Sequence, residues 1–204
     1  MKGSSATQPV AERFDRWFDE HPRIYQSILN ALEGLIPQKE RSIEIGAETG
    51  RFAIPLQMMA GIEPSPEMTK IAKGRGLEAI MGAGECLPLQ DMRFGCVLFV
   101  FGSFFIEDVG RTISEAFRVL RPGGVLIFTV IEMDSPLGQE LVNDAESRLF
   151  FESARFRGDV TLKKELRDAG FARIEVVQVV FEDYGEKASG MSVIRAHKPA
   201  TRQG

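Results

Sequence analysis

The chain has little cysteine: Cys86 and Cys96 are the only two in 204 residues. That is too few for a disulfide framework, and their spacing matches no metal site. Both are read as reduced, Cys86 as a small buried filler, and no metal is expected. No apolar run reaches the roughly 18 residues of a membrane span. Residues 1–9 are polar and small, without the apolar core of a signal peptide; they are expected to form a disordered tail. A cytoplasmic protein that does not engage membranes is therefore expected. Positive charge is also short, with 25 Lys and Arg against 29 Asp and Glu and a net charge of −4. That balance argues against general nucleic-acid binding, which relies on basic surfaces. No internal repeat or low-complexity tract is present, which excludes a repeat architecture. Of the two histidines, His21 reads as a helix-boundary residue and His197 as a structural residue ending the last strand. Neither is placed as a general base.

What is present is an ordinary globular balance, 44% hydrophobic and 26% charged, in a length suited to one domain over residues 10–204. Apolar residues recur at helical spacing over 10–36, with a break at His21-Pro22. Strands are read at 42–45, 59–63, 77–81, 96–101, 125–131, 174–181 and 191–197. Helices are read at 49–58, 65–73, 108–120 and 160–169, with a weak one at 139–150. Strands and helices alternate with short connections, which implies a doubly wound α/β sheet. The last two strands are joined like a hairpin and are expected antiparallel. The segment 132–159 breaks the alternation and reads as an insertion.

The chain is organised around residues 41–56, Arg-Ser-Ile-Glu-Ile-Gly-Ala-Glu-Thr-Gly-Arg-Phe-Ala-Ile-Pro-Leu. This is a buried strand, a glycine turn, then a helix in which Pro55 is tolerable only near the first turns or at a kink. A glycine turn lets a ligand approach the backbone. The helix N-terminus behind it would offer unpaired N–H groups. Glu63 follows Gly46 by 17 residues, at the end of the second strand, where an acid can hold a ribose hydroxyl pair. These features imply a nucleoside-containing cofactor without saying which.

Four motifs in order then resemble those of the class I, Rossmann-like S-adenosylmethionine-dependent methyltransferases of the small-molecule type. Ile43-Glu44-Ile45-Gly46, with Gly50-Arg51-Phe52-Ala53 after it, looks like the first. Gly61-Ile62-Glu63-Pro64-Ser65 looks like the second. Ala83-Gly84-Glu85-Cys86-Leu87-Pro88 resembles the acidic loop, and Glu115 to Gly124 the recurrent helix and turn. The resemblance implies a seven-stranded, mostly parallel sheet in the order 3-2-1-4-5-7-6, with strand 7 antiparallel and helices on both faces. It implies S-adenosylmethionine as cofactor. Backbone at Gly46, Ala47 and Gly50 would lie against its methionine part, and Glu63 would take the ribose hydroxyls. Ile62 and Pro64 would flank the adenine, Gly84 and Glu85 would meet the adenine edge, and Phe101 and Gly102 would lie near the methionyl end. Glu44 either bonds the backbone of the turn or reaches the cofactor's amino group. Glu85 is equally consistent with solvent exposure.

Two departures from the family pattern stand out. Glu48 occupies the position of the family's usual middle glycine; its carboxylate faces away, binds the cofactor's ammonium group, or hinders binding. Ala83 stands where an acid is frequent, so one hydrogen bond to the adenine amino group is expected to be lost. The loop after strand 4 reads Phe104-Phe105-Ile106-Glu107, where small-molecule relatives often have His-His.

The expected function is methyl transfer to a small-molecule acceptor, by a monomer or homodimer. The alternative is a non-catalytic module of the same fold that binds S-adenosylmethionine or S-adenosylhomocysteine, for which Glu48 and Ala83 argue. A nicotinamide-dependent dehydrogenase is disfavoured, because close pyrophosphate approach wants glycine at position 48. No catalytic residue is assigned. The substrate side would be built from a helical lid at 10–36, the loop 102–108 and the insertion 132–159. Trp17, Tyr25, Phe104 and Phe105 are its candidate residues, with core packing as the plainer reading of each. Arg155 and Arg157 are candidates for an anionic substrate, against a solvated helix face.

Overall fold

The computed structural model describes residues 10–37, 41–143, 159–181 and 189–200. The expected tail at 1–9, the far part of the insertion, and Arg155 and Arg157 lie outside the described residues. Seven strands form one sheet: β1 Ser42–Ile45, β2 Ala60–Glu63, β3 Ala79–Met81, β4 Phe94–Phe99, β5 Leu120–Ile131, β6 Ala172–Val180 and β7 Ser189–His197. Their order is β3-β2-β1-β4-β5-β7-β6. The β1–β2, β1–β4, β2–β3 and β4–β5 pairs are parallel. β7 runs antiparallel to both β5 and β6. Order and polarity match the expectation.

Among the described residues six α-helices cover the sheet: α1 Val10–Glu20, α2 Pro22–Glu33, α3 Pro66–Gly74, α4 Val109–Val119, α5 Pro136–Asn143 and α6 Asp159–Asp168. Their starts follow from sequence. Ser65 accepts the N–H of Met68 and precedes Pro66, so α3 opens on a capping serine and a proline at the first position. Asp108 caps α4 through the N–H of Arg111. The central strands are apolar on both sides, as a sheet covered on both faces requires. Leu98 and Val100 join the aromatic core under α1 and α2, while Val97 and Phe99 join the core under α4 and α6. In the first core the rings of Phe18, Phe52 and Phe101 lie with centroids 5.1 to 5.7 Å apart.

Several local expectations are corrected. The segment 49–58, read as a helix, is a run of turns. The physical reason is Pro55, which has no N–H to continue an i→i−4 ladder. The amide of Ile54 reaches Gly50 and that of Leu56 reaches Phe52, but Met58 reaches back to Ala53. Residues 101–105, expected partly as strand and partly as loop, form a short 3-10 helix, Phe101–Phe105. The turn 121–124 is drawn into β5 as an exposed irregularity: Phe94 pairs with Leu120 and Cys96 with Val125, leaving four residues opposite one. Cys86 is exposed rather than buried, because it closes the small turn bridged from Ala83. Of the weak helix at 139–150, the described part is α5. Among the described residues no helix is long and apolar enough to cross a membrane.

Candidate functional site

The chain winds from β1 outward to β2 and β3, then returns to β4 on the other side of β1. That reversal opens a crevice at the carboxyl ends of β1 and β4, the general ligand position in open α/β sheets. A cavity of about 430 Å³ lies there. Gly46 and Glu48 enter it from the turn after β1, Glu63 and Pro64 from the end of β2, and Gly84 and Glu85 from the loop after β3. Phe105 and Ile106 close the β4 side, Met68 of α3 supplies an apolar wall, and Val10 of α1 reaches over the opening. Four carboxylates line the cavity, those of Glu48, Glu63, Glu67 and Glu85, and among the described residues no lysine, arginine or histidine does.

The turn is more closed than its sequence implies. The N–H groups of Gly46 and Ala47 both donate to the carbonyl of Ile62, at 2.8 and 3.1 Å, and that of Gly50 donates to Ala47. The Glu48 N–H donates to Oε2 of Glu63 at 2.9 Å. The expected set of unpaired N–H groups is therefore absent at these four positions; β2 takes three of them, through Ile62 and Glu63, and the Ala47 carbonyl takes the fourth. Glu63 receives a second backbone donor, the Ser65 N–H, on Oε1 at 2.8 Å. A carboxylate has about four lone-pair sites, so each oxygen of Glu63 keeps capacity for a hydroxyl donor.

Three acids are buried around this turn: Glu44 at 0% exposure, Glu48 at 4% and Glu63 at 4%. Burial, and then the nearby Glu63, push the Glu44 carboxyl well above the usual carboxylate range. Burial does the same to Glu48, with Glu44, Glu63 and Asp15 adding repulsion. Glu63 is raised by burial too, but the Ser65 and Glu48 amides pull it back. Neither oxygen of Glu44 has a hydrogen bond of ordinary geometry, although the Ala53 amide lies close enough to favour ionisation. Oε1 of Glu48 is likewise unpartnered. Glu48 also holds φ at 49°, the left-handed region that favours glycine.

Of the residues singled out from sequence, the cavity brings together Gly46, Glu48, Glu63, Pro64, Gly84, Glu85 and Phe105. Glu85 is not simply solvated, since it accepts the N–H groups of Glu107 and Asp108 and so ties the β3 loop to the β4 loop. Ile62 lies at 0% exposure in the core under α4 and does not line the cavity, because the loop after β3 packs over it at Gly82. Ala47 and Phe101 are buried in the core under α1 and α2. A Cβ on Gly50 would meet Ile54, Leu77 and Ala72, so Gly50 serves packing against α3. Gly102 follows Phe101 in the 3-10 helix. Trp17 and Phe104 are core residues, and Tyr25 spends its hydroxyl on the Arg51 carbonyl at 2.8 Å.

Two supporting residues escaped sequence reasoning. Asp15 of α1 accepts the Thr49 hydroxyl at 2.7 Å and pairs with Arg75 at 2.6 Å and Arg51 at 3.5 Å, pinning α1 over the turn. Arg118 pairs with Glu115 and donates to the carbonyls of Leu87 and Leu89, while Glu115 accepts the Leu87 N–H. A lone acid among helix charges gives no signal of such a role. Arg118 sits in the helix-turn motif, and with Glu115 it braces that motif against the loop after β3.

Comparison with known proteins agrees with this geometry. A family model described as a methyltransferase domain matches residues 43–128. A crystal structure from Thermotoga maritima, described as a SAM-dependent methyltransferase and possible histamine N-methyltransferase, is 37% identical with a TM-score of 0.83, covering 92% of this chain and 95% of that one. An uncharacterized protein of Methanocaldococcus jannaschii is 39% identical over 85% of this chain and 84% of its own length. The ubiquinone/menaquinone biosynthesis C-methyltransferase of Francisella philomiragia is 32% identical over 48% of this chain and 47% of its own. With the sheet order, the buried acid after β2 and this overlap in hand, the chain belongs to the class I S-adenosylmethionine-dependent methyltransferases.

Proposed function

We propose that the chain transfers the methyl group of S-adenosylmethionine to a small-molecule acceptor. The observation that carries this reading is a cavity of about 430 Å³ lined by four carboxylates, at a turn whose amides at Gly46, Ala47, Glu48 and Gly50 are already paired. Such a site repels a pyrophosphate and suits a cationic nucleoside. In this reading Glu63 accepts the ribose hydroxyls on the lone pairs left by its two amides. Pro64, Met68 and Ile106 pack against the base, with Gly84 giving its edge room. Phe105 and Val10 exclude water at the opening. The cofactor, when bound, supplies an already activated methyl group, so the protein's task is alignment, which lowers barriers by on the order of 7–11 kcal/mol. An acceptor needs a general base only if it must lose a proton to attack, and no residue is assigned that role. A small acceptor fits the acidic surface balance of the chain, and a cytoplasmic setting fits its free cysteines.

The test is transfer of label from methyl-labelled cofactor to two acceptor classes named by the relatives, imidazole-bearing amines and quinone-precursor rings, and to a small-metabolite extract. Labelled small product is expected. The second reading, a non-catalytic binding module, is favoured by the strained and buried Glu48 in the cavity. Binding of S-adenosylhomocysteine by calorimetry together with no label transfer to any acceptor would establish it instead.

A further inference from the structure

We propose that Glu48 reads the positive charge of the methyl donor, so that the pocket holds S-adenosylmethionine in preference to the spent product S-adenosylhomocysteine. The inference rests on the cofactor assignment above and adds a selectivity to it. Donor and product differ by one methyl group and one unit of charge: the sulfonium of the donor becomes a neutral thioether. A residue that distinguishes them must carry a negative group with no partner of its own; a contact to the ammonium, which both ligands share, would give no preference.

Glu48 meets that requirement where its neighbours do not. Both oxygens of Glu63 receive backbone amides. Oε1 of Glu85 receives two. Glu67 sits exposed on α3, where water screens it. Glu44 is fully buried and does not line the cavity. Glu48 alone among the described residues joins three properties: it is 4% exposed, it lines the cavity, and it has an oxygen with no partner. Its backbone also holds φ at 49°. Glycine would occupy that conformation without strain. The ligand-free protein gains nothing visible from the side chain that offsets strain and desolvation, which points to a partner that enters the cavity. A cation suits that place, since among the described residues every charge lining the cavity is negative.

The charged groups facing Glu48 are Glu44 from β1, Glu63 from β2, Asp15 from α1, Glu67 from α3 and Glu85 from the loop after β3. The nearby cations Arg51 and Arg75 are engaged by Asp15. Burial and these acids hold the Glu48 carboxyl well above its ordinary range in the empty pocket. A sulfonium reverses that preference. Binding the donor therefore releases a proton from Glu48 to the buffer and tightens as pH rises, while binding the product does neither to the same extent.

The experiment is titration calorimetry of the full chain with S-adenosylmethionine and with S-adenosylhomocysteine, in two buffers of different ionisation heat, at about pH 6 and about pH 8. Wild type, Glu48→Gln and Glu48→Gly are compared. Wild type is expected to prefer the donor by about tenfold, equal to about 1.4 kcal/mol, with the preference growing at the higher pH and proton release seen for the donor. Both variants are expected to lose most of that preference while their affinity for the product changes little. Glu48→Gly relieves the backbone strain, so it remains informative if the glutamine variant does not fold. Retention of the donor preference in a folded variant overturns the inference. So does a Glu48→Gly protein that binds both ligands more tightly at an unchanged ratio, which would make the acid an obstruction. If wild type binds neither ligand at millimolar concentration, the cofactor assignment itself falls, and the inference with it.

Discussion

Pro55 removes one amide from the turn that follows β1, and the carbonyl of Arg51 would be left without its i→i−4 donor. Tyr25 supplies the replacement, its hydroxyl donating to that carbonyl at 2.8 Å. The ring packs on Phe52 at 5.3 Å, and the Arg51 guanidinium lies 4.7 Å from its centroid. Burial pushes the Tyr25 hydroxyl above its usual range, with Arg51 opposing, so the group stays a neutral donor. Tyr25→Phe keeps the packing and orphans a carbonyl, which costs about 1–2 kcal/mol. In a chain of this size that lowers Tm by roughly 2–8 °C, and differential scanning calorimetry checks it; an unchanged Tm would show that water satisfies the carbonyl. The proline was legible in the sequence as a break. Its partner was not, because Tyr25 lies 26 residues before Arg51 and no local pattern links them. Gly61 is a similar case: a Cβ there would come within 2.5 Å of the Ala47 Cβ, so β2 must carry glycine for the turn to sit against it.

At the scale of elements, α1 behaves as a part of the site held down by one side chain. Asp15 ties it to Thr49 in the turn and to Arg75 just beyond α3, and Val10 at its start borders the cavity. Hydrogen bonds between charged groups contribute about 1.5–3 kcal/mol each, and the anchor is mostly shielded at 14% side-chain exposure. Asp15→Ala is expected to destabilise the fold by about 2–3 kcal/mol. It should also speed proteolytic cleavage within α1 and weaken cofactor affinity about tenfold. Limited proteolysis and calorimetry read these; cleavage at the wild-type rate would show that the aromatic core alone holds α1. The amphipathic pattern made α1 legible as a helix. Its docking was not legible, since Phe14 and Phe18 fit any apolar surface and only the folded chain brings Arg75 to Asp15. The brace of Glu115 and Arg118 on the β3 loop has the same character: the motif is readable, its purpose is not.

Over the whole molecule, the buried acids set how stability depends on pH. Glu44 and Glu48 are raised well above the ordinary 4.5 in the folded state. The folded chain therefore binds these protons more tightly than the unfolded chain. Their contribution is fully present below about pH 4.5 and is lost as pH rises through the folded values. His197 works in the opposite direction. Burial and then Arg195 hold it below 6.5, so its share is present above about pH 6.5 and lost as pH falls. The ligand-free protein should thus show a Tm contribution from these acids that declines as pH rises above about 4.5, opposed by His197 below about pH 6.5, and Glu48→Gln should flatten that decline. Melting curves across the range decide it, and an identical slope in the variant would sink the assignment.

What the sequence determined by itself was the alternation of strands and helices, the antiparallel final hairpin and the family motifs. Each rests on local chemistry: apolar runs suited to a doubly covered sheet, capping residues at 65 and 108, and glycines at the turns. What only the tertiary structure decided was which groups around the turn remain free. Whether Gly46 offers its amide or spends it on Ile62, and whether Glu48 faces solvent or the crevice, depends on where β2, α1 and α3 come to rest. Those distances are set by the packing of residues far apart in the chain. Glu48 could be seen in the sequence as an anomaly; its burial, its unpartnered oxygen and its left-handed backbone exist only in the assembled fold.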